Sequence, residues 1–125
     1  MSDEIVKLAE EFLDINENIY GVAIINADDG KIIHQTENWD VQPDANSFLE
    51  AWKNSKSSIV ILTNKYMIVE NTPERLVATN VSGKGHLIGA SAGKAKVLCY
   101  INPAIGPRDA LNEIQLQANK VGSAL

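Results

Sequence analysis

A chain of 125 residues, 45% hydrophobic and 22% charged, has the size and balance of one folded domain, which excludes long disordered stretches and argues against a second core. A lone cysteine excludes an internal disulfide, and no apolar run approaches the ~18 residues of a membrane-spanning helix, so a reducing, cytoplasmic setting is expected. The net charge of −5 hides a split: residues 1–50 hold twelve acids against Lys7 and Lys31, whereas residues 51–125 hold nine bases against Glu70, Glu74, Asp109 and Glu113.

Ile5, Leu8, Ala9, Phe12 and Leu13 repeat at helical spacing, with Ser2 and Asp3 as capping candidates, so the chain opens with an amphipathic helix. Residues 20–27 and 31–36 read as two strands joined through Asp28-Asp29-Gly30, where glycine supplies the positive φ of a tight hairpin. Beyond Trp39, Pro43 opens a short helix whose Ala45, Phe48, Leu49 and Trp52 share a face, and the polar run Lys53-Asn54-Ser55-Lys56 ends it. Five short β-rich runs follow, at 57–63, 66–71, 75–81, 86–91 and 96–101. Asn64-Lys65, Thr72-Pro73-Glu74, Gly83-Lys84-Gly85 and Ala92-Gly93-Lys94 separate them at the spacing of a meander. Gly106 and Pro107 then open a last helix with Leu111, Ile114, Ala118 and Val121 on one side. The order α-ββ-α-βββββ-α predicts an α+β fold, a central antiparallel sheet of about six or seven strands with helices on both faces.

Residue types that carry catalysis are scattered. Gly89 to Lys94 lacks the spacing, the hydroxyl and the following helix of a phosphate loop. His34 and His86 have no partner at ligand spacing, and Cys99 between Leu98 and Tyr100 reads as a buried apolar residue. Ser82 and Ser91 lack a nucleophile-elbow pattern. No enzymatic activity, metal or cofactor is therefore expected. What remains is a binding surface: Lys65, Arg75, Lys84, Lys94, Lys96 and Arg108 fall at strand ends, in turns or at the start of the last helix, where a meander can gather them to steer an acidic partner. Taken singly, each reads better as a solvated loop residue; as a set they gain weight, since nine of the eleven bases lie in this region. An acidic chain with few aromatics carries no nucleic-acid signature.

From Gly21 onward the chain resembles the profilin family of small actin-monomer-binding proteins. AIINADDGKIIHQ is similar to the family's first hairpin, NKYMIVEN to its Lys-Tyr-Met strand, GKGHLIGASAGKAKVLCYINP to its glycine turn and last two strands, and GPRDALNEI to the opening of its C-terminal helix. These segments are collinear over most of the chain, in the style of the short archaeal branch. The resemblance implies a profilin-like sheet and an actin face built from the central short helix, the late strands and the start of the last helix. Position by position it implies Lys65, Arg75, Lys84, His86, Ser91, Lys94, Arg108, Asn112 and Glu113, with Trp52 and Lys53 at the edge. The implied partner is an actin or actin-like monomer, met by a monomeric, cytoskeletal protein whose charge orients docking while apolar contacts carry more of the affinity.

Phosphoinositide binding, another family property, would use the same basic residues. Polyproline binding would need aromatics that this chain lacks: the first helix offers only Phe12, on its core stripe, Ile33 stands where a Trp is expected, and the last helix has no aromatic residue. The competing reading is a roadblock or longin-type module, a dimeric scaffold or binder of a small GTPase. Its signature would be one long strand around residues 58–70 in place of two.

Overall fold

The computed structural model describes residues 2–37 and 39–125. Its elements are α1 (Ser2–Ile15), β1 (Ile19–Asn26), β2 (Ile32–Gln35), α2 (Ala45–Lys53), β3 (Ser58–Ile61), β4 (Asn64–Asn71), β5 (Arg75–Thr79), β6 (His86–Ala92), β7 (Ala95–Ile101) and α3 (Leu111–Ala124). A 3-10 turn at Gln42–Asp44 carries Pro43 and runs directly into α2. Of the two capping candidates on α1, the Ser2 side chain lies outside the described residues, and Asp3 is exposed in the first turn.

The seven strands form one sheet in the order β2-β1-β7-β6-β5-β4-β3, each pair antiparallel. Successive side chains point to opposite faces, so each strand of the sheet feeds two cores. On one face Ile5, Ala9 and Phe12 of α1 and Ile114, Ala118 and Val121 of α3 meet Val22, Ile24, Ile88, Val97 and Cys99. On the other, Phe48, Ala51 and Trp52 of α2 meet Ala23, Ile25, Leu76, Leu87 and Leu98, joined by Ile59, Ile61 and Tyr66 from the outer strands. Helices therefore cover both faces, as the element order implies. Gly89 sets how closely α2 approaches: a Cβ there would lie 2.7 Å from Trp52 Cζ3 and 3.1 Å from Phe48 Cζ. The Asp-Gly hairpin also forms as read, with Gly30 at φ +73° and the Asn26 side chain accepting the Asp28 amide at 2.8 Å.

Two boundaries differ from the sequence reading, each for a tertiary reason. The β3–β4 turn is Leu62-Thr63, not Asn64-Lys65, and both turn residues adopt left-handed φ of 49° and 70°. Pairing Ile59 with Tyr66 and Ile61 with Asn64 buries Ile59, Ile61 and Tyr66 together. A shift by one residue would turn all three to solvent, so burial outweighs turn propensity. Because residues 58–61 and 64–71 are separate strands, the single long strand of a roadblock module is absent among the described residues. The last helix, in turn, starts at Leu111 and not at Gly106. The Gly106 amide donates to Asp109 Oδ2 at 2.9 Å, and the Ile105 carbonyl is held by the His86 ring, which keeps residues 102–110 as consecutive turns.

Candidate functional site

Side chains directly opposite in an antiparallel sheet share a face. Ile101 belongs to the core under α1 and α3, and the row Ile101, His86, Thr79, Met67, Ser58 runs from it across β7, β6, β5, β4 and β3. By alternation, Val60 and its partner Lys65 lie on that same face. α3 packs on β6, and past it the outer strands carry an open surface: Val60 is 47% exposed, Met67 36% and the bulged Val69 49%.

Charge is organised at the border between this surface and α3. The register slips between Ile68 and Glu70, which brings Glu70 opposite Val77. Val77 in turn lies opposite Ile88 of the α1/α3 core, so Glu70 faces α3. Arg108, in the turn before α3, donates to Glu70 Oε1 through Nε at 3.1 Å and through a terminal nitrogen at 2.9 Å. Arg75, the first residue of β5, reaches the other carboxylate oxygen at 3.6 Å. Two guanidiniums thus share one carboxylate and leave a local surplus of one positive charge. Both side chains remain well exposed, so their remaining donors can serve a partner's carboxylate.

The other residues named from sequence fall into three groups. Lys65, Lys84 and Asn112 are exposed around the same surface. Lys84 sits in the β5–β6 turn, whose shape is fixed by Asn80 Oδ1 accepting the Ser82 and Lys84 amides and by the Tyr100 hydroxyl donating to the Lys84 carbonyl. Glu113 is half-buried, and its Oε1 accepts from Asn16 Nδ2 at 3.2 Å, a tie between α3 and the α1–β1 connection.

His86 supports the turns before α3. It is buried, with Nδ1 2.8 Å from Thr79 Oγ1 and Nε2 2.7 Å from the Ile105 carbonyl, so Nε2–H donates and Nδ1 accepts the hydroxyl proton. The third group lies elsewhere. Trp52, Lys53 and Ser91 belong to the α2 face. Lys94 sits in the β6–β7 turn beside Gly93, which packs on Gly122 near the far end of α3. A 14-residue helix is about 21 Å long, so Lys94 and Arg108 lie at opposite ends of α3. The expected single cationic area is therefore two areas, because strand ends alternate between the two rims of the sheet.

Sequence reasoning missed Glu70 and the exposed apolar residues. Glu70 counted only as an opposing charge. Val60 and Met67 were readable in principle, since each is out of phase with the buried Ile59, Ile61 and Tyr66.

Among the described residues no group of three His, Cys, Asp or Glu side chains could hold a metal, and no helix is long and apolar enough to cross a membrane. Cys99 is fully buried and its thiol is pushed far up by that burial, as its apolar neighbours imply. The arrangement is suited to docking: apolar side chains in the middle, arginines and lysines at the rim.

No protein-family model matches the sequence. The chain is 41% identical to Loki profilin-1 from Lokiarchaeum sp., with 97% of each chain covered. Among solved structures, it matches a crystal structure of LokiProfilin1 with a TM-score of 0.89 and 41% identity, covering all of both chains. A complex of LokiProfilin2 with rabbit actin matches at a TM-score of 0.89 and 38% identity, again over the full length of both chains.

Proposed function

The chain belongs to the profilin family, and we propose from that premise that it binds actin monomers and regulates filament assembly by occupying one face of the monomer. The observation that carries the reading is the full-length likeness to a profilin solved in complex with actin. The open sheet surface supports it. Val60 and Met67 supply the desolvated middle, and Lys65, Arg75, Lys84, Arg108 and Asn112 the rim. Trp52, Lys53, Ser91 and Lys94 are left outside this face, and His86 and Glu113 act by holding its edge in place.

The role is stoichiometric binding by a monomeric protein in the cytoplasm, with no bond made or broken. Phosphoinositide headgroups would compete for Arg75, Arg108 and Lys84, a competition weakened by salt. Among the described residues no aromatic groove opens between α1 and α3 for a proline-rich segment: Phe12 is wholly buried and Ile33 occupies the strand position.

Mixing the purified protein with actin monomers and following polymerisation tests the reading. Nucleation should slow as the protein approaches stoichiometry with actin. Unchanged nucleation and elongation at large excess of folded protein would overturn it.

A further inference from the structure

On the opposite face, a cleft of about 600 Å³ lies between α2, the β1–β2 loop and the β4–β5 turn. That volume is within the range of small-molecule sites. At its base Lys96 of β7 places its ammonium 4.5 Å from the centre of the Trp52 ring. The only hydrogen-bond partner of that ammonium among the described residues is Ser91 Oγ at 3.4 Å. No described carboxylate comes within 4 Å of it, although Glu74 is close enough for its charge to be felt. Burial has already cost this ammonium part of its hydration, which lowers its pKa.

Trp52 cannot relieve it by turning. Its Nε1–H donates to the Thr72 carbonyl at 2.7 Å, and its own carbonyl accepts from Asn71 Nδ2 at 3.1 Å, so the indole is fixed between α2 and the β4–β5 turn. An ammonium on an indole face therefore stands in a preformed cavity with no carboxylate in contact with it among the described residues. Leu49 and Pro73 give the cavity apolar walls, while Asp28 and Glu50 also line it and are balanced by only one further cation, Lys53. Those two acids oppose any ligand that brings a double negative charge.

We propose that this cleft binds a compact monocarboxylate with an apolar body, its carboxylate on Lys96 Nζ and its body between Leu49 and Pro73. The site lies on the α2 side of the sheet, away from the surface assigned to actin, and stands independently of that assignment.

The test uses the full-length protein and three probes that share a phenyl body: phenylacetate, its neutral amide phenylacetamide, and the dianion phenyl phosphate. The readout is the NMR shift of the Trp52 indole N–H and the Lys96 amide. Phenylacetate should give saturable shifts at both, with at least tenfold weaker binding of the amide, as loss of one charge-assisted hydrogen bond implies, and weaker binding of the phosphate, which Asp28 and Glu50 repel. Lys96→Met should lose the preference for the acid, and Lys96→Arg should keep it, with an unchanged Trp39 indole signal reporting that each variant is folded. Equal binding of acid and amide, a preference that survives Lys96→Met, or no saturable shift with any probe would overturn the proposal.

Discussion

Arg108 and Glu70, 38 positions apart in the chain, close on each other through two nitrogens on one carboxylate oxygen, at 3.1 and 2.9 Å. This pair ties the turn before α3 to the bulge of β4, and Arg75 completes it from β5. Each guanidinium has donors left over, so Glu70 restrains the arginines and also competes with a partner's acids for them. Glu70→Gln should therefore raise the association rate with actin several-fold at low salt while making dissociation faster, because a positive charge is released and its position is loosened. Stopped-flow association at several ionic strengths measures this. An association rate unchanged at every salt concentration would contradict it.

Reversing the rim charges should act in the other sense. Lys84→Glu with Arg108→Glu should weaken the actin complex mainly through a slower on-rate, with the difference shrinking as salt rises. Equal loss at all ionic strengths would show that the two residues act through direct contacts alone.

His86 holds the 102–110 turns by donating to the Ile105 carbonyl and accepting from Thr79. His86→Leu fills a similar volume but leaves both groups unpaired in a buried setting, which should cost about 2 kcal/mol of stability. Because Arg108 lies three residues beyond Ile105, the variant should also dissociate faster from actin. Denaturant unfolding and dissociation kinetics would each register the change, and a fully stable variant would show that water replaces the ring.

The Leu62-Thr63 turn places two non-glycine residues in the left-handed region, one of them β-branched. Such a conformation costs roughly 1–2 kcal/mol per residue, and glycine adopts it freely. Thr63→Gly should raise the unfolding free energy by about 1 kcal/mol. A decrease would mean that the threonine side chain contributes more than its backbone costs.

Tyr66 is buried against Ile59, and burial, aided by Tyr100, raises its hydroxyl pKa to about 12. A group that holds its proton more tightly when folded stabilises the protein fully below its unfolded value of 10.0, and that contribution disappears as pH climbs to about 12. Unfolding measured at pH 9 and at pH 12 should show a loss on the order of 2 kcal/mol attributable to this residue. The loss should be smaller by that amount in Tyr66→Phe. Identical pH slopes in the two proteins would place the hydroxyl in contact with water.

The amphipathic stripe of α1, the Asp-Gly hairpin and the alternating late strands are patterns written within a few neighbouring residues. Their spacing alone therefore determined the element order, the sheet and its two helical layers. The likeness to profilins was equally legible, because it rests on the order of short segments. Which charges meet was not. Lys94 and Arg108 looked equivalent as basic turn residues, yet they lie at opposite ends of α3. Glu70 looked like a stray acid, yet a one-residue slip in β4 makes it the partner of two arginines. Such outcomes depend on strand register and on how far each helix reaches across the sheet. Register is decided by burying Ile59, Ile61 and Tyr66 against α2, and the reach of α3 by burying Ile114, Ala118 and Val121 on the other face, free energies summed over residues distant in sequence and invisible in any local window.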